Sequence, residues 1–318
     1  MRLGFMGTPA FALPSLTALM AVGHNICMVV TQPDRPAGRG RVQTPPPVKL
    51  AAQELGLPIL QPEKVGESAV VSALQATQPD AIIVVAYGQL LPRSILALPP
   101  YGCLNLHASL LPKYRGAAPI SWAIIQGETA TGVTIMQIEA RMDAGPILMQ
   151  RPDPIGPLDT TGTLGERLAI LGAELLCQAL DQVVHRAAKP IPQDEQIATY
   201  APKLTIGDTH LDWTRNAQTL DCLIRGLYPA PGAVTSFGGR RVKVVQAEVE
   251  AAASSPAGTV CAIDRAKGVL VATGQGGLWL SQVQPENRRI MTATEFASGY
   301  RVRLGDAFGS LPVLSGTR

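Results

Sequence analysis

Two polar side chains lie two residues apart in the stretch Asn105-Leu106-His107, at the end of a short apolar segment. Side chains of a β-strand alternate between its two faces, so Asn105 and His107 share one face if this segment is a strand. An amide N–H can stabilise an oxyanion, and an imidazole can donate a hydrogen bond or move a proton. A lone histidine in an apolar setting is usually structural, but this combination favours a catalytic role in acyl transfer over hydride or phosphoryl transfer.

A catalytic histidine usually needs a partner that fixes its tautomer. The best candidate is Asp143, which follows a predicted strand over residues 133–138 and precedes Gly145, where the backbone can approach closely. Taken alone, an aspartate in such a position is more often a turn residue. The residues by themselves therefore leave both interpretations of Asp143 open.

Spacing argues against several other kinds of site. The segment 4–9 lies where a dinucleotide fingerprint would stand, but it lacks the Gly-x-Gly-x-x-Gly spacing. The sequence contains no phosphate-binding loop of the Gly-x-x-x-x-Gly-Lys-Ser/Thr type. Its 4 histidines show no metal-ligand spacing, and its 5 cysteines contain no Cys-x-x-Cys pair. We therefore predict no nicotinamide cofactor, no metal and no disulfide framework.

The first half of the chain alternates predicted strands with predicted helices, a pattern typical of an open, doubly wound (Rossmann-like) α/β sheet. In such a sheet the site lies at the carboxyl ends of the strands. The predicted strands are 3–6, 26–30, 81–86, 103–106 and 133–138, and the predicted helices are a segment that stops near Gly23, then 47–55, 68–76, 117–126 and 164–184.

The pattern changes after residue 188. Residues 189–206 are rich in proline and polar side chains and are interpreted as a linker between a catalytic domain, 1–188, and a C-terminal domain, 207–318. The C-terminal part contains one predicted helix and several short strands with Gly-rich turns, which favour a small β-barrel of the oligonucleotide-binding (OB) type. The helix is 217–225, and the strands are 233–237, 241–247, 258–263, 269–272 and 278–283.

Composition and charge limit the class of protein. Of 318 residues, 46% are hydrophobic and 16% are charged, as in a globular protein, and no apolar run is long enough to span a bilayer. The chain starts in a strand-like segment without a signal-peptide pattern, so we expect a cytoplasmic protein. The net charge of +3 lies entirely in residues 189–318, which hold 14 Lys and Arg against 11 Asp and Glu. This excess is either ordinary surface variation or a weak indication that the C-terminal part binds an anionic partner.

Three arginines, Arg35, Arg39 and Arg41, lie in a Gly- and Pro-containing segment that follows the predicted strand 26–30. The simplest interpretation is a solvated loop. However, the segment leaves the site side of the sheet, and arginine binds phosphate bidentately. We therefore predict that this segment contacts phosphate or nucleic acid.

At this point the chain resembles one family, the methionyl-tRNA formyltransferases. The stretches that carry the resemblance are TQPDRPAGRGR (31–41), VVAYGQLLP (84–92), GCLNLHASLLPKYRGAAPI (102–120), TGVTIMQIEARMDAGPIL (131–148) and TYAPKL (199–204). They cover most of the first domain and the linker, in the expected order. The resemblance is thinner in the C-terminal domain, where it is clearest over residues 224–231.

The resemblance implies transfer of a formyl group from 10-formyltetrahydrofolate to the amino group of methionine on initiator tRNA. It implies that the catalytic residues are Asn105, His107 and Asp143. The folate-binding residues that it implies are Ala86, Tyr87, Gly88, Ser109, Leu110, Leu111 and Pro112. The tRNA-binding residues that it implies are Arg35, Arg39, Arg41 and Lys203, and Arg39 is the one expected to make a specific contact. We expect a monomer that binds initiator methionyl-tRNA and no membrane.

The same residues are compatible with three alternative functions. A related formyltransferase could act on an amino sugar or a purine precursor, and a hydrolase could release formate from formyltetrahydrofolate. Both would keep the three catalytic residues without needing the basic segment or the barrel. A nucleic-acid-binding module with an inactive α/β half is the third, and the intact catalytic residues argue against it.

Overall fold

The computed structural model describes residues 1–37 and 42–309. The chain forms two compact units. The first comprises residues 1–119, 130–154 and 165–202, and the second comprises residues 120–129, 155–164 and those from 203 onward. In the described part of the chain, no helix is both long and apolar enough to cross a membrane.

The strands and helices are numbered in chain order. The strands are β1 (Arg2–Gly7), β2 (Asn25–Val30), β3 (Arg35–Ala37), β4 (Val42–Thr44), β5 (Ile59–Leu60), β6 (Ala81–Val85), β7 (Cys103–His107), β8 (Arg115–Gly116), β9 (Ala130–Gln137), β10 (Ile147–Pro154), β11 (Tyr200–Ala201), β12 (Ala233–Phe237), β13 (Arg240–Glu250), β14 (Val260–Asp264), β15 (Gly268–Ala272), β16 (Gly277–Pro285), β17 (Met291–Thr292) and β18 (Phe308–Gly309). The helices are α1 (Leu13–Ala21), α2 (Pro47–Glu54), α3 (Ser68–Ala76), α4 (Arg93–Leu96), α5 (Pro119–Ile125), α6 (Thr161–Val184), α7 (Ala217–Leu227) and α8 (Ala293–Tyr300).

The first unit is built on a seven-stranded sheet in the order β10-β9-β7-β6-β1-β2-β5. The strands β1, β2, β5, β6 and β7 run parallel, as the alternation of strands and helices predicts. β9 and β10 extend this sheet as antiparallel strands. β6 is buried along its whole length, which explains why its sequence is an unbroken apolar run. The predicted Rossmann-like fold of this half is therefore confirmed.

β7 lies between β6 and β9, and its register fixes the two polar residues at its end. Asn105 pairs with Val84 of β6 and Met136 of β9, and His107 pairs with Thr134 of β9. On one face of β7 the helix α6 approaches closely at Gly172, where a Cβ atom would lie 2.6 Å from the side chain of Leu106. This close packing holds the strand that carries Asn105 and His107.

The second unit contains an antiparallel sheet in the order β14-β15-β16-β13-β12-β18, with β17 paired to β16. The sheet curls, because the chain just before β14 bridges the chain just before β18 at Thr259 and Ala307. Its core includes the ring contacts of Phe308 with Trp213 and Phe237. The predicted small barrel is confirmed as a curled half-barrel, with β17 and β18 in addition to the five predicted strands.

Most predicted elements are confirmed within a few residues, but β10, α8 and several short elements were not predicted. Besides β17 and β18, the short elements are β3, β4, β5, β8, β11 and α4. β10 lies at the edge of its sheet, where Pro152 and Pro154 are tolerated, although prolines normally argue against a strand. α8 begins at a capping box in which the Thr292 hydroxyl accepts the Glu295 N–H and the Glu295 carboxylate accepts the Thr292 N–H. The Thr-x-x-Glu spacing in the sequence therefore indicates where this helix begins.

Candidate active site

Asn105 and His107 lie at the carboxyl end of β7, as the sequence predicts. The His107 ring is buried, with 5% of the residue exposed, whereas Asn105 is half-buried. Within the described part of the chain, the Asn105 side chain makes no hydrogen bond. Its amide is therefore available to a group that enters beside His107.

The His107 ring is oriented by two neighbours. Its Nε2 lies 2.9 Å from the Tyr114 carbonyl oxygen. A carbonyl oxygen only accepts, so Nε2 carries the hydrogen and Nδ1 is the basic nitrogen of the neutral ring. Nδ1 lies 3.8 Å from Oδ2 of Asp143. This is longer than a hydrogen bond, so the ring and the carboxylate face each other without a direct bond.

Asp143 reaches His107 on a loop that folds back along the sheet. β9 runs antiparallel to β7, so this loop begins beside the amino end of β7, where the Ile138 N–H donates to the Cys103 carbonyl. The Asp143 carboxylate is held by the Gly116 N–H, which donates to Oδ2 at 2.8 Å. Gly145 allows the predicted close approach of the backbone, because a Cβ atom there would collide with the Gln137 carbonyl oxygen.

Three residues other than glycine adopt the left-handed backbone conformation in the segments around His107. They are Ala86 (φ 49°), Tyr114 (φ 60°) and Asp143 (φ 50°). This conformation costs an L-residue roughly 1–2 kcal/mol, although aspartate tolerates it better than most. The surrounding hydrogen bonds must compensate for this cost, and backbone strain of this kind is common at functional sites.

The turn after β7 is fastened to β9 and β10 by two polar side chains. The buried Thr134 hydroxyl donates to the Ser109 carbonyl at 2.6 Å and accepts the Leu111 N–H at 3.1 Å. Gln150 donates to the Leu111 carbonyl at 2.8 Å and to the Thr134 hydroxyl at 2.9 Å. The 109–112 turn is therefore a fixed part of the sheet edge and not a free bend.

The predicted folate-binding residues of this turn differ in accessibility. Ser109 is fully buried, and its hydroxyl donates to the Lys113 carbonyl at 2.6 Å. Leu111 is also buried, whereas Leu110 and Pro112 are partly exposed. The exposed apolar surface of the turn therefore comes from Leu110 and Pro112.

The predicted folate-binding segment 86–88 follows β6, the neighbour of β7 in the sheet. Tyr87 is 1% exposed and packs into an apolar cluster, where burial raises the pKa of its hydroxyl to about 12. Its carbonyl accepts hydrogen bonds from the Thr8 hydroxyl and the Gln32 amide. Ala86 and Gly88 are exposed but carry at most a methyl side chain, so the segment presents mainly backbone at the sheet edge.

The predicted tRNA-binding arginines begin in a short hairpin of β3 and β4. Arg35 pairs with Glu63 at 2.6 Å, and both side chains are more than half exposed. Beside it, the Asp34 carboxylate accepts from Lys49 at 2.7 Å, and this bond, with one from Gln61, lowers the pKa of Asp34. Arg39 and Arg41 lie outside the described residues. Lys203 is exposed and follows β11.

Sequence reasoning missed Thr134, Gln150 and Gln193 as parts of this site. Gln193 donates from Nε2 to the carbonyl oxygens of Asp143, at 2.8 Å, and Gly145, at 2.7 Å. It lies in the predicted linker, 50 residues from Asp143 in sequence, so no local spacing could indicate the contact. The stretch TYAPKL (199–204) indicated that this segment matters, but not what it touches.

Two kinds of comparison identify the family. The family model described as formyl transferase matches residues 1–180, and the model of its C-terminal domain matches residues 203–301. A methionyl-tRNA formyltransferase of Geobacter metallireducens is 44% identical over 96% of this chain and 97% of its own length. One of Moorella thermoacetica is 46% identical over 97% of this chain and 99% of its own. The chain therefore belongs to the formyl transferases and, within them, to the methionyl-tRNA formyltransferase family.

Solved structures share the fold at low sequence identity. HypX of Aquifex aeolicus, in complex with tetrahydrofolic acid, has a TM-score of 0.68 at 18% identity, over 96% of this chain and 48% of that one. An N-formyltransferase of Helicobacter canadensis, in complex with folinic acid and dTDP-3-aminofucose, has a TM-score of 0.63 at 15% identity, over 90% of this chain and 99% of the other. At such identities the likeness establishes the fold alone.

Two buried threonines of β9 provide a matched test of the turn. Thr134→Val removes the hydroxyl that pairs with Ser109 and Leu111, so we expect the free energy of unfolding to fall by about 1–3 kcal/mol. Thr131 is also buried, but its hydroxyl has no hydrogen-bond partner among the described residues, so Thr131→Val should be neutral or stabilising. Urea unfolding of both variants measures the difference, and equal effects would show that the Thr134 bonds do not hold the turn.

Proposed function

We propose that this protein transfers the formyl group of 10-formyltetrahydrofolate to the amino group of methionine on initiator tRNA. The product is N-formylmethionyl-tRNA for translation initiation. The observation that carries the proposal is the available Asn105 amide beside a histidine that faces Asp143 at 3.8 Å. The identity of 44% to 46% to methionyl-tRNA formyltransferases, over nearly the whole chain, supports tRNA as the acceptor. We further propose that the protein acts as a monomer in the cytoplasm.

Asn105 is proposed to stabilise the oxyanion of the reaction. The neutral amine attacks the formyl carbon, and the carbonyl oxygen becomes negatively charged in the tetrahedral intermediate. The Asn105 N–H is not used by another described group, so it can donate to that oxygen. One such donor is typically worth about 3–4 kcal/mol of transition-state stabilisation.

His107 and Asp143 are proposed to move the proton. The amine loses a proton as its bond to the formyl carbon forms, and N10 of the folate gains one as its own bond to that carbon breaks. Nδ1 of His107 is the free basic nitrogen, so it takes the first proton and delivers the second. The Asp143 carboxylate stabilises the intermediate imidazolium. An α-amino group has a pKa near ~7.7–8.0, so much of it is neutral at cell pH and a strong base is unnecessary.

The folate is proposed to bind at the edge formed by the turns after β6 and β7. A pterin needs backbone donors and acceptors together with an apolar wall. The segment Ala86–Gly88 supplies mainly backbone, whereas the turn Ser109–Pro112 supplies an apolar surface from Leu110 and Pro112. The fixed position of the 109–112 turn supports this assignment.

The tRNA is proposed to contact Arg35, Arg39, Arg41 and Lys203. Arg35 already pairs with Glu63, but an exposed ion pair is weak, so a phosphate can replace the carboxylate. Such contacts release counterions and make binding salt-dependent. The amino-sugar alternative is less well supported, because the N-formyltransferase structure with dTDP-3-aminofucose is only 15% identical to this chain.

Substitution of each proposed catalytic residue tests the proposal directly. We expect Asn105→Ala to slow single-turnover formylation of charged initiator tRNA by about 100- to 1,000-fold, the effect of losing one oxyanion donor. We expect His107→Ala and Asp143→Ala to slow it by about 100- to 10,000-fold through loss of proton transfer. Filter binding should give an unchanged dissociation constant for tRNA. Normal turnover in all three variants would show that these residues are not catalytic.

Arg39 offers a test of acceptor recognition. Because Arg39 is proposed to contact tRNA and not the folate, Arg39→Ala should slow transfer to charged tRNA more than hydrolysis of the folate by water. The two rates are measured on the same enzyme preparation, by formylated tRNA and by release of tetrahydrofolate. Equal losses in both rates would exclude this residue from tRNA recognition.

A further inference from the structure

The segment 191–201, within the predicted linker, is hydrogen-bonded into the first unit. Ile191 exchanges two backbone hydrogen bonds with Ile147, both at 2.8 Å. Further along, the Thr199 hydroxyl accepts the Tyr114 N–H at 2.9 Å, and β11 pairs with β8 in parallel. We call residues 191–201 the strap. The strap contacts the segment after β7, which holds His107, and the start of β10, which follows the Asp143 loop.

Gln193 uses every polar atom of its amide to join these two segments. Its Nε2 donates to the carbonyl oxygens of Asp143 and Gly145, at 2.8 and 2.7 Å. Its Oε1 accepts from Nε and Nη2 of Arg115, at 3.0 and 2.8 Å. Carbonyl oxygens only accept and a guanidinium only donates, so the orientation of this amide is unambiguous.

Arg115, which donates to Gln193, is itself held in place by further contacts. It is 1% exposed, and a buried guanidinium requires charged and polar partners on its donors. Glu195 of the strap supplies the charge, with contacts to Arg115 at 3.0 and 3.2 Å. Glu195 also accepts from Arg141 of the Asp143 loop at 2.7 Å. The guanidinium of Arg115, which has the larger effect, and that of Arg141 lower the pKa of Glu195 to about 2. Glu195 is therefore charged at neutral pH.

The bonds of Gln193 to Asp143 and to Arg115 lie on the two sides of the hydrogen bond that orients the Asp143 carboxylate. Gly116, which donates to that carboxylate, directly follows Arg115 in the chain. Gln193 therefore connects the backbone of Asp143 to Arg115, and Arg115 directly precedes the residue whose N–H holds the Asp143 carboxylate. Loss of this connection would leave two carbonyl groups without their donor and release a loop whose Asp143 backbone is in the left-handed conformation.

We propose that Gln193 is a positioning residue for the formyl transfer, holding the Asp143 carboxylate against His107 without touching either substrate. The inference rests on the proposed function, since it concerns the same site. The strap is then part of the active-site framework as well as a connection between domains.

Two substitutions of Gln193 separate positioning from simple structural support. Gln193→Glu keeps an oxygen for Arg115 but places a second oxygen against the carbonyls of Asp143 and Gly145. Gln193→Ala removes both sets of bonds. In the full-length enzyme, we expect both variants to lower kcat by about 100-fold, the effect of displacing a catalytic group by about 1 Å. The KM values for the folate and for charged tRNA should stay unchanged. Gln196→Ala is the control, because this exposed strap residue makes no side-chain hydrogen bond to the described residues.

A double-mutant cycle gives the sharper result. If Gln193 acts through Asp143, then Gln193→Ala should cost nothing more in the Asp143→Ala background, because coupled sites are not additive. An equal loss in both backgrounds, an unchanged kcat in Gln193→Glu or a matching loss in Gln196→Ala would overturn the inference. If the wild-type enzyme itself fails to formylate charged tRNA, the proposed function fails instead, so the two failures are distinguishable.

Discussion

The candidate site depends on the hydrogen bond from the Gly116 N–H to the Asp143 carboxylate, at 2.8 Å. This bond joins the segment after β7 to the loop after β9, and it turns Oδ2 of Asp143 toward His107. A glycine is required at 116, since its φ is +122° and a Cβ atom would lie 2.7 Å from the Ala201 carbonyl oxygen. The same residue thus accommodates both the carboxylate on one side and the strap on the other.

The antiparallel pairing of β7 and β9 explains why so many long-range contacts surround this bond. In a purely parallel sheet the loops after neighbouring strands emerge at the same edge and meet there. Here the Asp143 loop begins at the opposite end of β7 and must fold back. Strand pairing holds only the two ends of this loop, where the Gln137 N–H donates to the Pro146 carbonyl and the Ile138 N–H donates to the Cys103 carbonyl. Gln193 and Glu195 of the strap supply further support by binding its backbone and Arg141, while the buried Arg115 anchors both.

The sequence predicts those parts of the molecule in which apolar and polar residues follow a regular pattern over a few positions. The apolar run of β6, the alternation that places Asn105 and His107 on one face, and the helix Ser68–Ala76 all follow from patterns a few residues long. Sequence reasoning missed β10, because the edge position that tolerates its prolines is a property of the sheet. It also missed Gln193, whose partners lie 78 and 50 residues away in sequence. Such contacts depend on how the chain packs and leave no periodic signal.

We infer that this arrangement serves formyl transfer to an amine carried on tRNA. The most direct measurement supplies the enzyme with 10-formyltetrahydrofolate and one of three acceptors, namely charged initiator tRNA, free methionine or water alone. Release of tetrahydrofolate and the formylated product are followed together. We expect rapid formylation of the charged tRNA, no formylation of free methionine and only slow hydrolysis. Free methionine or water used as readily as charged tRNA would contradict this inference.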